Sequence, residues 1–349
     1  MSERLNQLLL GKDLDALLFF SPENLRYLTG FSGGEGVVCF RPQGISLLVD
    51  FRYFEEARLE AGQCEIHLLR QGMKGLREYL KERRFRRVGL EARAITLSGF
   101  QEILQEGIEF IPLTHELDPL RAVKTPEEVR KIQEAVRIAE RAFEEVLEDV
   151  RAGLREIDLA LELEYRMRAM GSEGVAFEAI VLSGPRTALP HGRPSGRPIG
   201  EGEVVLFDFG ARVGGYCSDK TRTAFLGKAD PELRRVYEVV LEAHDRALEA
   251  VRAGVSFREV DRAARQVIED AGYGEFFGHS TGHGVGLAVH EFPSLSPDSE
   301  GILEEGMVIT IEPGIYLPQK GGVRIEDLVL VKDNGCEVLT KRDCELKIL

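Results

Sequence analysis

Four carboxylates set in otherwise apolar runs are the first chemistry this 349-residue chain suggests. Asp208 interrupts Val204-Val205-Leu206-Phe207-Asp208-Phe209-Gly210, and Asp219 lies in the run from Tyr216 to Phe225 that follows Gly214-Gly215. Glu312 ends Met307-Val308-Ile309-Thr310-Ile311, and Glu326 sits in Val323-Arg324-Ile325-Glu326-Asp327-Leu328-Val329 beyond Gly321-Gly322. If each pair of runs is a hairpin, a turn centred on Val213-Gly214 sets Asp208 opposite Asp219. A loop centred on Gln319 likewise sets Glu312 opposite Glu326. Opposed residues of an antiparallel pair face one side, with Cβ atoms about 4.5–5.5 Å apart. Carboxylates that close repel one another unless a cation or a shared proton lies between them. Two divalent ions would balance all four, so a dinuclear metal site is the expectation. Between the hairpins lies Gly278-His279-Ser280-Thr281-Gly282-His283-Gly284-Val285-Gly286, then His290-Glu291, with glycines that let backbone approach a ligand closely. His191, in Leu189-Pro190-His191-Gly192, precedes the first hairpin.

These groups need elements to hold them. The chain is 43% hydrophobic and 30% charged, ordinary for a folded protein of two domains. Its net charge of −14 disfavours nucleic acid and anionic membrane surfaces as partners. Runs such as Ala16 to Phe20 are too short to span a bilayer, and Glu3, Asp13 and Asp15 spoil a signal peptide, so a cytoplasmic protein is expected. Five cysteines without a C-x-x-C pair fit neither a disulfide framework nor a zinc knuckle.

The first third alternates apolar runs with helical stretches. Strands are expected at Ala16–Phe20, Val37–Phe40, Ile45–Val49 and Val88–Leu90, and helices at Arg52–Ala61 and Lys74–Arg83. An α/β domain over residues 1–122 follows. Near Leu120–Pro126 a second domain, 123–349, begins with a capping box (Thr125, Glu128) and Pro126 at the first helical position. Gly153 is expected to close that helix. Val150-Arg151-Ala152-Gly153 with Arg155-Glu156-Ile157-Asp158 returns as Val251-Arg252-Ala253-Gly254 with Arg258-Glu259-Val260-Asp261. The repeat predicts two similar halves, each a helix pair leading into strands, with a cleft between them.

The order Asp208, Asp219, His283, Glu312, Glu326 resembles the ligand set of the pita-bread metallopeptidases (family M24). Asp208-Phe209-Gly210, Ser218-Asp219, Gly282-His283-Gly284-Val285-Gly286, Ile311-Glu312-Pro313-Gly314 and Arg324-Ile325-Glu326-Asp327 carry the likeness. Phe31-Ser32-Gly33-Gly34-Glu35-Gly36 is similar to the first-domain loop of the Xaa-Pro branch, prolidase and aminopeptidase P. The resemblance implies a creatinase/prolidase-type α/β N-terminal domain and an α+β pita-bread domain with an internal pseudo-twofold repeat. It implies that Asp208 chelates one metal, that Asp219 and Glu326 bridge both, and that His283 and Glu312 complete the second. Oxygen-rich ligation favours manganese (Mn²⁺) or cobalt (Co²⁺), with iron (Fe²⁺) or zinc (Zn²⁺) as alternatives. A water shared by the ions, acidified to a pKa of about 7, would attack the scissile carbonyl.

By the same resemblance Glu312 carries the water's proton, His279 lies nearest the oxyanion, and His290 and His191 line the substrate side. Arg324, on the face of Glu326, would orient the bridging acids, with Tyr316 as a further support. The implied reaction is hydrolysis of an Xaa-Pro peptide bond, as a dipeptidase (prolidase) or as aminopeptidase P on longer peptides. The first domain is expected to cap the cleft or meet a partner subunit, as in family homodimers. A protein-binding module on the same fold is the distant rival, and it predicts lost ligands.

Overall fold

A computed structural model describes residues 2–349, in two compact units, one running to Arg121 and the other from Ala122 to Leu349. The first unit is built on a six-stranded mixed sheet. Its strands are β1 (Ala16–Phe19), β2 (Val37–Arg41), β3 (Gly44–Val49), β4 (Glu65–Leu68), β5 (Arg87–Glu91) and β6 (Glu109–Leu113), in the order β4-β3-β2-β1-β5-β6. β1, β2 and β3 pair antiparallel, whereas β3–β4, β1–β5 and β5–β6 are parallel. Continuous apolar runs in β1 and β2 fit burial on both faces, and one core lies on each side of the sheet. The connecting helices are α1 (Ser2–Lys12), α2 (Pro22–Thr29), α3 (Phe54–Glu60), α4 (Met73–Glu82) and α5 (Leu97–Ile103).

The second unit opens with α6 (Pro126–Leu147). Thr125 accepts from the Glu128 backbone, and Glu128 returns a 2.7 Å bond to the Thr125 N–H. The helix ends at Leu147, earlier than the Gly153 stop the sequence suggests. Gly153 instead takes a left-handed turn (φ +88°) outside the helix and donates to the Ile199 carbonyl. Next come α7 (Glu156–Ala169), β7 (Ile180–Ser183), β8 (Val204–Phe209), β9 (Arg212–Val213), β10 (Tyr216–Cys217) and β11 (Lys220–Phe225). The second half repeats the plan with α8 (Pro231–Ala250) and α9 (Phe257–Asp270). Its strands are β12 (Gly282–Gly284), β13 (Glu291–Leu295), β14 (Val308–Ile311), β15 (Gly314–Leu317), β16 (Gly321–Arg324), β17 (Asp327–Lys332) and β18 (Gly335–Val338), with a final β19 (Lys347–Ile348).

The two halves have separate sheets, β19-β11-β8-β7 and β13-β12-β14-β17-β18. Each packs its own helix pair, α6–α7 over the first and α8–α9 over the second. The repeated turn is visible in the backbone. Gly254 (φ +85°) donates to the Leu303 carbonyl as Gly153 does to Ile199. Among the described residues no helix is long and apolar enough to cross a membrane.

Candidate metal centre

β8 and β11 form the first acid-bearing hairpin, but in a different register from the one the spacing suggests. Asp208 pairs with Thr221, not Asp219. The turn is the tight Gly214-Gly215 pair, both left-handed (φ +56° and +82°), flanked by Val213 against Tyr216. Centring it on Val213 would force a β-branched residue into a conformation glycine adopts freely. The slip is two residues, so Asp219 stays on the face of Asp208 one step along.

The second hairpin keeps the expected register. Gly314 pairs with Arg324, Leu317 with Gly321 and Ile311 with Asp327, all centred on Gln319. The ladder breaks where the acids stand. Glu312 N–H donates to the Thr281 carbonyl at 2.7 Å, and Glu326 N–H to the Thr221 carbonyl at 3.2 Å. Glu326 thereby ties β11 of one half to the hairpin of the other.

β12 delivers His283. Its glycines are required by close approach, since a Cβ on Gly282 would lie 2.0 Å from the Thr310 carbonyl oxygen and one on Gly284 2.3 Å from that of Phe292. His283 Nδ1 donates to the Gly284 carbonyl at 3.1 Å, which turns Nε2 toward the acids. That nitrogen is 3.1 Å from Glu312 Oε1 and 3.6 Å from Asp219 Oδ2. Donor atoms of Asp219, His283 and Glu326 lie within 4.8 Å of one another.

The charges are out of balance. Burial, then Glu326, Asp208 and Glu312, holds the Asp219 carboxyl well above the usual range. Burial, then Glu312 and Asp208, does the same to Glu326. Asp208 is raised by burial even though Arg324 opposes the shift. Burial would lift Glu312 too, but the bond and charge of His283 bring it down to about 2. The Asp208 Oδ1 atom is buried without a hydrogen-bond partner. Four converging carboxylates, one imidazole and an orphaned carboxylate oxygen make a donor set short of positive charge, which divalent cations fit.

Arg324 is buried and reaches Asp208 Oδ2 (2.5 Å), the Tyr316 hydroxyl (2.8 Å), Thr221 Oγ1 (3.0 Å) and the Pro190 carbonyl (3.3 Å). It therefore braces Asp208 and reaches Glu326 only through Thr221, whose hydroxyl donates to Glu326 Oε2 at 2.6 Å. Sequence reasoning passed over Thr221, although it lies two residues beyond Asp219. Thr310 was missed as well; its hydroxyl donates to Glu312 Oε1 (3.1 Å) and accepts from the His283 N–H (2.9 Å).

His279 uses both ring nitrogens. Nδ1 donates to the Ser280 carbonyl at 2.8 Å, and Nε2 stands 2.9 Å from the Tyr316 hydroxyl. Burial lowers its pKa, so the neutral ring accepts from Tyr316 and has no N–H left to aim at the acids. The His290 ring lies 4.3 Å from that of His283 and is exposed. His191 is exposed as well, next to the Pro190 carbonyl that Arg324 holds. Burial, then the neighbouring His283, lowers the His290 pKa.

Comparison with known proteins follows the same lines. A model of metallopeptidase family M24 matches residues 130–333, and one of the creatinase/prolidase N-terminal domain matches residues 2–123. The chain is 39% identical to the Xaa-Pro dipeptidase of Pyrococcus furiosus, over 99% of this chain and 100% of that one. It superposes on the solved Xaa-Pro dipeptidase from Bacillus anthracis with a TM-score of 0.94 at 41% identity, covering 100% and 99% of the two chains. An X-Pro aminopeptidase from Thermotoga maritima gives a TM-score of 0.87 at 39% identity, covering 97% and 98%.

Proposed function

The chain belongs to metallopeptidase family M24, with a creatinase/prolidase N-terminal domain ahead of it, and on that premise we propose that it is an Xaa-Pro dipeptidase using two divalent metal ions. The observation that carries the reading is the convergence of Asp219, His283 and Glu326 donors within 4.8 Å, beside Asp208 and Glu312. The names of the Pyrococcus and Bacillus relatives support it.

Asp208, Asp219, His283, Glu312 and Glu326 would hold the ions, and oxygen-rich donation favours Mn²⁺ or Co²⁺. When bound, the ions acidify a water to a pKa of about 7 and polarise the scissile carbonyl. Glu312 would take the attacking water's proton, a task for a carboxylate in hydrogen-bond reach. Thr310, through its hydroxyl, holds Glu312 Oε1, while His283, its Nδ1 engaged by the Gly284 carbonyl, would turn Nε2 to an ion. Arg324 and Thr221 fix the oxygens of Asp208 and Glu326 that face them. His191 and His290, both exposed at the site, line the substrate side. The Xaa-Pro bond is a tertiary amide with no N–H, so recognition falls on the proline ring and the carbonyl. A homodimer is part of the reading, by family resemblance.

The aminopeptidase relative at 39% identity favours a second reading, release of the first residue from longer Xaa-Pro peptides. Protein loaded with Mn²⁺ or Co²⁺ is expected to cleave Ala-Pro, and a chelator to stop turnover. Cleavage of Ala-Pro-Ala alone would move the assignment to aminopeptidase P. Inactivity on both after metal reloading would leave a binding module.

A further inference from the structure

We propose that Asp261 and Arg265 of α9 are a positioning pair that fixes the backbone carrying His279 and His283, and through it Glu312. The inference rests on the metal-dependent hydrolysis proposed above. Residues 277–281 belong to no helix or strand, although they lead directly into β12. The Thr281 N–H bonds the Leu295 carbonyl of β13 at 2.8 Å, but the Phe277 and His279 carbonyls need partners outside a ladder, and α9 supplies them. Arg265 donates to the Phe277 carbonyl through Nη1 at 3.0 Å and to the His279 carbonyl through Nη2 at 2.9 Å. Its Nε and Nη2 also clasp both oxygens of Asp261 at 2.8 Å, one helical turn away.

Asp261 is buried, and its Oδ1 accepts from Thr281 twice, from the hydroxyl at 2.8 Å and from the N–H at 3.3 Å. The carbonyl of the same Thr281 receives the Glu312 N–H at 2.7 Å. One carboxylate and one guanidinium thus hold three backbone points, and the last is hydrogen-bonded to a proposed metal-binding acid. The guanidinium carbon also lies 4.3 Å from the centre of the Phe277 ring, which meets the His279 ring edge-on at 5.0 Å and 87°. Neither Asp261 nor Arg265 is bonded to any of the five proposed metal-binding side chains, so the pair acts on the site only through the segment it holds. A planar five-donor fork suits this task, and an ammonium group cannot span the same acceptors.

The test is Arg265→Lys in the full chain. Lysine keeps a cation beside the buried Asp261 but loses the tether to the two carbonyls. The expected result is a kcat lower by about 10- to 100-fold with KM nearly unchanged, and calorimetric affinity for added Mn²⁺ weakened on the same scale. Thr281→Val, which deletes one hydroxyl donor at constant size, should move both in the same direction by less. If Arg265→Lys does not fold, Thr281→Val decides. A lower Tm with wild-type Mn²⁺ affinity and kcat would mean a merely structural pair and overturn the proposal. Failure of the wild type to cleave Ala-Pro strikes the functional reading instead, because the Mn²⁺ titrations still compare the proteins without turnover.

Discussion

The two halves of the second unit solve one problem in different ways. Each must hold a glycine-rich, histidine-bearing segment against its sheet, and each uses a buried carboxylate from its second helix with an arginine. In the second half the acid is Asp261, in the second turn of α9, and Arg265 extends its reach to the segment that becomes β12. In the first half the acid is Glu156, the first residue of α7, and it bonds the loop directly, while Arg186, which belongs to the loop itself, bonds Glu156 and donates to the Arg193 carbonyl at 2.6 Å. Its oxygens accept from Ser183 N–H (2.8 Å) and hydroxyl (3.1 Å), Ser195 N–H (3.1 Å) and hydroxyl (2.7 Å), and Arg186 Nε (3.0 Å). That loop never becomes a strand before β8, and its His191 stays exposed. The first half therefore leaves its histidine exposed, on the side proposed to meet substrate. The second half drives its histidine among the acids.

This division breaks down if either half alone suffices for the chemistry. The largest effect is expected from Asp219→Asn in the first half and Glu312→Gln in the second, each nearly isosteric. Each should lower kcat for Ala-Pro by at least about 10³-fold, and the double variant should lose little more, as for groups that act as a unit. Retention of a tenth of the wild-type rate by either single variant would show that the centre belongs to one half.

The centre was more legible in the sequence than its supports were. Acids in apolar runs are a composition signal that survives without coordinates, and the Gln319-centred register could be read because Gly321-Gly322 marks the loop. The first hairpin was misplaced by two residues, because two adjacent glycines leave a turn's centre ambiguous until the left-handed pair is located. Parity rescued the face, since a two-residue slip preserves it. Asp261, Arg265 and Glu156 were invisible as supports. They read as ordinary polar positions on amphipathic helices, and their partners are backbone groups, which carry no sequence mark. Arg324 was placed near the acids, but the arrangement of chain around Asp208, not strand periodicity, decides which acid it braces.

Glu156→Ala sharpens the comparison at the next scale. Glu156 is fully buried, so its loss leaves Ser183, Ser195 and Arg186 donors without their acceptor. The expected cost is about 3 kcal/mol, on the order of 10 °C in Tm. Because this loop carries His191 and no metal-binding acid, KM for Ala-Pro should rise while Mn²⁺ affinity holds. That is the reverse of the pattern expected for Arg265→Lys. Weakened Mn²⁺ binding in Glu156→Ala would erase the distinction between the two halves.

The smallest expected difference is in how the halves respond to pH. In the second half His244 is fully buried, with Nε2 3.1 Å from Asp327 and Nδ1 3.7 Å from Asp245. Both carboxylates face the ring nitrogens, although neither makes a well-aligned hydrogen bond. Burial alone would depress the ring's pKa, and the two carboxylates outweigh it, leaving it above the ordinary histidine value. A folded pKa above the unfolded value of about 6.5 gives stability that is complete below that pH and is lost as pH rises through the folded value. In the first half, Arg197 bonds hold Glu203 below the usual carboxylate value, against some burial. That contribution is present above the unfolded value of about 4.3 and fades as pH falls through the folded one. Calorimetry of the full chain should thus show a Tm that falls as pH rises past about 6.5, a slope that His244→Gln flattens, and a slope on the acid side that Glu203→Gln flattens. A slope above about pH 6.5 unchanged by His244→Gln would mean that the buried ring is neutral throughout and that the two halves respond to pH alike.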